Sequence, residues 1–296
     1  MTEPPPPVAV GLVGAGPWAH YVHAPVLAAG PHTRLAGIWA RRPDAATALA
    51  TQHGGVPVFE RYEALLEVCD AVAFSVPPDV QATMALAAAR AGKALLLEKP
   101  VALDVAAAEA LAEAVDAAGV PTQMVLSWRY APTVRAFLRE VAGLDVLGAR
   151  AHFLSGAFLG GPFATPWRLE HGPLFDLGPH MIDVLDAALG TVVQVRAHGD
   201  PQRWVGLLLE HAGGAVSEVS LTGSSGTQPM RSGVEVHTRD GVHAVDGVTA
   251  VDATAFATMA QELATAVRTN TPHELDVHRG LHLQRLLAAA LADLRR

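Results

Sequence analysis

The chain reads as an α/β protein with an N-terminal doubly wound parallel sheet. An α+β region built on a mostly antiparallel open sheet follows it. Three observations predict this. Short, near-continuous apolar runs alternate with helix-length segments up to residue 126, as strands covered on both faces do. From residue 127 the runs follow one another with few helices between them. Gly213-Gly214 and Asp240-Gly241 fall between such runs, where hairpin turns need positive φ.

The elements follow in order. Residues 8–13, Val-Ala-Val-Gly-Leu-Val, form the first strand, and a helical stretch runs on to about Ala29. Strands are expected at Leu35–Ala40, Val56–Val58, Asp70–Val76, Ala94–Leu97 and from Pro121 to Leu126. Helices fill the gaps at Asp44–His53, Tyr62–Val68, Val80–Ala91 and Asp104–Ala118. Asp104 is placed to cap the last of these and Gly119 to end it. Beyond residue 127 the expected strands are Leu147–Ser155, Val192–His198, Arg203–His211, Ala215–Thr222, Gly233–Arg239 and Val242–Asp246. Val234-Glu235-Val236-His237-Thr238 alternates apolar with polar, as a half-exposed strand does. The helices of this region are Pro132–Ala142, Gly178–Leu189, Phe256–Arg268 and Val277–Leu294. Two domains result, 1–126 and 127–296, with residues 1–7 a proline-rich mobile tail.

With 296 residues, half of them hydrophobic, the chain can bury two cores. The formal net charge is −8 and no basic run occurs, which argues against nucleic acid as a partner. Apolar runs such as Ala82–Ala91 are far shorter than the ~20 residues a membrane-spanning helix needs. The start shows no basic segment followed by an apolar core, so no signal peptide is expected. The one cysteine, Cys69, excludes an intrachain disulfide and is expected to be a buried thiol, which points to the cytoplasm.

Gly14-Ala15-Gly16-Pro17-Trp18-Ala19 closes the first strand and opens a helix. Gly14 allows the tight turn, Gly16 leaves room for a pyrophosphate, and Ala19 permits close helix–sheet packing. Such a Rossmann-type cradle binds a dinucleotide, and the second strand selects which one. NAD binding calls for a carboxylate at the end of that strand, but Ala40 stands there, followed by Arg41 and Arg42. Two guanidinium forks suit a 2′-phosphate, so NADP is favoured and NAD remains possible.

Lys99, in Glu98-Lys99-Pro100, follows the apolar run Ala94–Leu97 and so lies at the carboxyl end of a strand. A lysine beside a nicotinamide can polarise an alcohol. Asp176, His180 and Asp183 are spaced four and three apart, which puts them on one face if the segment is helical. A histidine there can accept a hydroxyl proton. The 14 histidines show no metal-ligand spacing, and the pair His278/His282 is expected at the surface of a C-terminal helix.

Through Gly14-x-Gly16-x-x-Ala19, Glu98-Lys99-Pro100 and Asp176-x-Gly178-x-His180-x-x-Asp183, the chain resembles the glucose–fructose oxidoreductase, inositol dehydrogenase and MocA family of NAD(P)-dependent oxidoreductases. Trp128-Arg129-Tyr130-Ala131-Pro132 is similar to the family's arginine-aromatic-proline segment. The resemblance implies that Lys99, Asp176 and His180 are catalytic. His180 would exchange the proton, Lys99 would bind the reacting oxygen, and Asp176 would orient the substrate. It implies cofactor contacts at Ser75, Val76, Pro77, Pro78, Glu98, Ser127, Trp167 and Arg168, and a cis Lys99–Pro100 bond. Gln81, counted with the cofactor contacts, departs from a histidine usual in the family. Substrate contacts are expected at Lys99, Arg129, Trp167, Asp176 and His180, with His171 nearby.

The expected reaction is hydride transfer between nicotinamide and a secondary alcohol or ketone of a sugar, cyclitol or related polyol. The alternatives are a non-catalytic nucleotide-sensing regulator, and a glycoside hydrolase that uses bound nicotinamide transiently. A homodimer or homotetramer through the C-terminal sheet is expected because Val193, Val195, Val219 and Leu221 are read as candidates for its free face.

Overall fold

The computed structural model describes residues 5–296. Pro5–Pro7 are exposed coil, and the rest of the expected tail lies outside the described residues. The chain divides into two compact units, 1–125 with 256–281 and 126–255 with 282–296. The first boundary falls beside residue 126, but an uninterrupted second domain over 127–296 is not what the chain forms.

The first unit is a five-stranded parallel sheet of β1 (Val8–Val13), β2 (Thr33–Trp39), β3 (Ala71–Phe74), β4 (Ala94–Leu97) and β5 (Thr122–Met124). Their order is β2-β1-β3-β4-β5. β1, β3, β4 and β5 are buried along their whole length, because helices cover both faces and only apolar runs survive there. The chain leaves β1 toward β2 on one side and returns to β3 on the other. The carboxyl ends of β1 and β3 are therefore the point where strand order reverses, and such a crevice holds ligands in open α/β sheets.

Asp104 caps the helix Val105–Ala118 by accepting the Ala107 N–H, and Gly119 ends it at φ 62°. Residues 256–281 belong here because they close the β5 edge. The Met124 N–H donates to the Leu275 carbonyl at 2.6 Å, the Val277 N–H to Thr122 Oγ1 at 2.9 Å, and Gln123 Nε2 to the Met259 carbonyl at 3.0 Å. An edge strand left bare would expose the ladder group on Met124, and the side chains of Thr122 and Gln123 add two further bonds. The short run around Val58 forms only one parallel bridge, to Ile38. Pro57 cannot donate to a ladder.

The second unit carries six further strands: β6 (Val146–Leu154), β7 (Val192–Asp200), β8 (Trp204–His211), β9 (Val216–Thr222), β10 (Arg231–Thr238) and β11 (Val242–Asp246). The order is β11-β10-β6-β9-β8-β7, antiparallel except for the parallel pair β6/β9. The helix Gly178–Leu189 packs on β6, β9 and β10.

Most of the apolar residues expected on the free face of this sheet point into its core. Val195, Val219 and Leu221 are buried, and of the four residues only Val193 is exposed. The register lines up Arg196, Leu208, Glu218, Arg150 and Glu235 across five strands. Arg150 and Glu235 pair at 2.9 Å. Alternation along β8 and β9 sends Val205, Leu207, Leu209, Val219 and Leu221 inward and leaves Trp204, Leu208 and Val216 exposed beside Glu210 and Glu218. Val195, Val219 and Leu221 therefore belong to the core and not to a surface for a homodimer or homotetramer. Among the described residues no helix is long and apolar enough to cross a membrane.

Candidate active site

The carboxyl edge of the parallel sheet gathers the residues expected to hold a dinucleotide. Gly14 ends β1 with φ 110°, and its N–H donates to the Trp39 carbonyl at 2.8 Å. A Cβ on Gly14 would stand 2.2 Å from the Ser75 carbonyl oxygen. Only glycine lets the loops after β1 and β3 approach this closely. Gly16 differs, since a Cβ there would meet nothing within 4 Å. Gly14 thus answers to the protein's own backbone, while Gly16 faces open space that can receive a pyrophosphate.

Ala19 is fully buried and begins a π-helical turn, Ala19–His23, closed by the Ala24 N–H donating to the Ala19 carbonyl. This replaces the first part of the plain helix expected to Ala29; an α-helix resumes at Ala24–Ala28. Trp18 meets Phe256 edge-on, with ring centroids 6.1 Å apart. Pro17 is part-exposed, as are Ser75 and Val76; Pro77 is exposed and Pro78 buried. Ala40 is part-exposed and Arg41 and Arg42 are exposed, immediately beyond β2. No carboxylate occupies the end of that strand.

Lys99 follows β4 by two residues, on the same sheet edge, and the Lys99–Pro100 bond is cis as expected. Glu98 is held by a residue the sequence did not single out. His23 is fully buried, with Nε2 2.7 Å from Glu98 Oε1. Its signal was faint, a histidine inside an apolar helix start, and a π-helical turn defeats spacing arguments based on 3.6 residues. Gln81 requires a correction. It has no exposed surface, and both ends of its amide bond the backbone around Lys99, so it is not available to a cofactor. Its helix starts at Pro78, two residues earlier than expected, and aims it inward.

In the second unit Asp176, His180 and Asp183 stand on nearly continuous helix, Pro166–Asp176 leading into Gly178–Leu189 through Leu177. All three are buried. Asp176 Oδ1 accepts from Arg168 Nε at 3.0 Å. The Arg168 guanidinium also lies 4.8 Å from the Trp167 ring centroid and 5.8 Å from that of Phe163. Arg168 is thus an anchor for Asp176, flanked by aromatic rings. Asp183 Oδ1 receives Arg129 NH1 at 3.3 Å, and Arg135 Nε in turn donates to the Arg129 carbonyl at 2.6 Å. The His180 ring lies 6.3 Å from that of Phe153, and its Nδ1 is buried. Ser127 is buried, Trp167 part-exposed, and His171 lies 5.7 Å from the Phe175 ring.

The helix Pro166–Asp176 was not anticipated. It kinks at Gly172, φ 70°, where a Cβ would stand 1.9 Å from the Pro201 carbonyl oxygen. The close backbone approach is what makes that glycine necessary. His278 and His282 do not act together: His278 pairs with Asp116 at 2.9 Å, and half-buried His282 with Asp186 at 2.9 Å. Among the described residues no group of three His, Cys, Asp or Glu side chains is placed to hold a metal ion. Cys69 is buried, as expected, and burial pushes its thiol up, away from the reactive thiolate.

Residues 8–125 match the family described as GFO_IDH_MocA, "Oxidoreductase family, NAD-binding Rossmann fold". The chain is 30% identical over 202 residues to D-glucoside 3-dehydrogenase of Escherichia coli (strain K12), a match covering 65% of this chain and 57% of that protein. It is 40% identical over 107 residues to dTDP-3,4-didehydro-2,6-dideoxy-alpha-D-glucose 3-reductase of Actinomadura kijaniata, covering 36% and 32%. These matches span less than two thirds of either relative's length. Among solved structures, GenD2 from gentamicin A biosynthesis, in complex with NAD, superposes with a TM-score of 0.89 at 22% identity, over 99% of this chain and 96% of that one. That likeness is one of fold.

Proposed function

We propose, from the premise that the chain belongs through residues 8–125 to the oxidoreductase family with an NAD-binding Rossmann fold, that it is an NAD(P)-dependent dehydrogenase or reductase. Its substrate is a secondary alcohol or ketone of a sugar, cyclitol or related polyol. One observation carries the reading. The Gly14/Ser75 crossing and the open space at Gly16 lie at the switch point of the parallel sheet, and the Lys99 turn follows β4 on the same carboxyl edge. NADP is the favoured cofactor. Arg41 and Arg42 are exposed where its 2′-phosphate would need charge, and Ala40 offers no ribose-binding carboxylate.

The nicotinamide, when bound, supplies the hydride acceptor or donor. The chain's residues do the rest. Gly16 and the helix start would hold the pyrophosphate, with Gly14 setting the turn and Ser75 to Pro78 beside it. Lys99 binds the reacting oxygen with its ammonium and stabilises charge that builds there. His180 takes the hydroxyl proton on oxidation and returns it on reduction. Asp176, anchored by Arg168, orients the substrate hydroxyls.

The test is a cofactor-reduction screen across sugars, cyclitols and other polyols, run with NADP and NAD in parallel. On a substrate so found, Lys99→Ala and His180→Ala should keep cofactor binding and lose turnover by about 10²–10⁴-fold, the range for a positioned proton-transfer group. Normal turnover in either variant would refute the assignment. Tight cofactor binding without hydride exchange on any compound would favour a nucleotide sensor.

A further inference from the structure

We propose that Gln81 and the His23–Glu98 pair are positioning residues for Lys99, and that they tie its turn to the phosphate cradle. The proposal rests on the reading of Lys99 as the group that binds the reacting oxygen. The backbone on both sides of Lys99 is held by one buried side chain. Gln81 Nε2 donates to the carbonyls of Glu98 at 2.8 Å and Val101 at 3.1 Å, with Pro100 at 3.4 Å sharing a hydrogen. Gln81 Oε1 accepts the Glu98 N–H at 2.8 Å. A primary amide has two donors and two acceptor sites, and this one directs both ends at a single turn.

The second restraint reaches Glu98 through its carboxylate. His23 Nε2 lies 2.7 Å away, while His23 Nδ1 is buried with no hydrogen-bond partner among the described residues. A proton on Nδ1 would be stranded, so the tautomer that fits carries its proton on Nε2 and donates to Glu98. His23 closes the π-helical turn that starts at Ala19, the last residue of the cradle. One part-buried hydrogen bond therefore joins the helix that follows the cradle to the turn that carries Lys99. The chain has only two lysines, Lys93 and Lys99, against nineteen arginines. A compact ammonium, which needs accurate placement because it lacks the guanidinium fork, stands where this frame is built.

Those two lysines also make the test clean. Reductive ¹³C-methylation of the whole protein keeps their charge and gives each an NMR signal; Lys99→Arg identifies the one from Lys99. Lys93, whose Nζ donates to the Cys69 carbonyl at 3.0 Å, is the internal reference. In the unsubstituted protein NADP should shift the Lys99 signal. Gln81→Met, of similar length but without the bonds, and His23→Ala should each move that signal toward the position of a free lysine and diminish its NADP response. The Lys93 signal should stay in place. Glu98→Ala, which removes the acceptor of the His23 bond, should behave like His23→Ala. Gln81→Met and His23→Ala are independent, so one that fails to fold leaves the other decisive. A Lys99 signal and NADP response unchanged in a folded variant, or equal movement of both lysines, overturns the proposal. An unsubstituted protein whose Lys99 ignores bound NADP instead refutes the reading of Lys99 itself.

Discussion

The two glycines of the cradle make opposite demands, and alanine at each tells them apart. In Gly14→Ala the new Cβ would sit 2.2 Å from the Ser75 carbonyl oxygen, on a backbone at φ 110° that side chains rarely adopt. The backbone strain is about 1–3 kcal/mol. Overpacking against a fixed carbonyl adds about 1–3 kcal/mol. The sum, about 2–6 kcal/mol, is a large share of the roughly 5–15 kcal/mol that holds a domain folded. In Gly16→Ala the Cβ meets nothing within 4 Å, and φ is not in the left-handed range. Stability should then hold or rise by up to about 1 kcal/mol through loss of unfolded-chain entropy. The methyl would nonetheless occupy the space assigned to the pyrophosphate, and NADP affinity should fall about 10–100-fold, or roughly 1.4–2.8 kcal/mol. Thermal or urea melts read the first quantity, and fluorescence titration with NADPH the second. An unshifted melt for Gly14→Ala would refute the steric argument. Unchanged affinity in Gly16→Ala would refute the placement of the phosphates.

Three further outcomes are expected. Replacing Arg41 and Arg42 together by alanine should weaken NADP binding at least about tenfold, about 1.4 kcal/mol, while leaving NAD binding near its starting value; equal loss for both would remove the 2′-phosphate assignment. Arg168→Ala leaves the buried Asp176 carboxylate without its guanidinium and should cost about 3 kcal/mol in a denaturant melt. Asp176→Asn in the same background should recover part of that loss, and no recovery would show that charge is not the cause. Burial, with Arg231 and Arg150 opposing Glu235 and Asp246, holds His152 below its ordinary 6.5. The unfolded chain therefore takes up this proton first, so the contribution of His152 is fully present above pH 6.5 and is lost as pH falls from there through the lower folded value. His152→Gln should flatten that part of the melting-temperature profile, and an unaltered slope would exclude His152 as its source.

Much of this protein is determined by pattern alone. Unbroken apolar runs such as Ala94–Leu97 can only be strands covered on both faces, and Asp104 and Gly119 mark a helix by the backbone groups they satisfy. The positions of Gly14, Gly16 and Lys99 just beyond strands are legible for the same reason: strand ends are written locally. Other features depend on what a residue meets across the fold. Alternation shows that Val195, Val219 and Leu221 share a kind of face but not which face is covered, and the packed helix Gly178–Leu189 decided it. Residues 256–281 fall in the first unit because β5 needs hydrogen-bond partners at its edge, a need that appears only once the sheet exists. The same holds for His23 and Gln81. Their partners lie 75 and 17 residues away, and a bond at that separation leaves no local trace. The sequence by itself determined the sheet, its cradle and the lysine beyond β4; the tertiary structure decided what holds that lysine in place, because hydrogen bonds between distant segments exist only after the segments have packed.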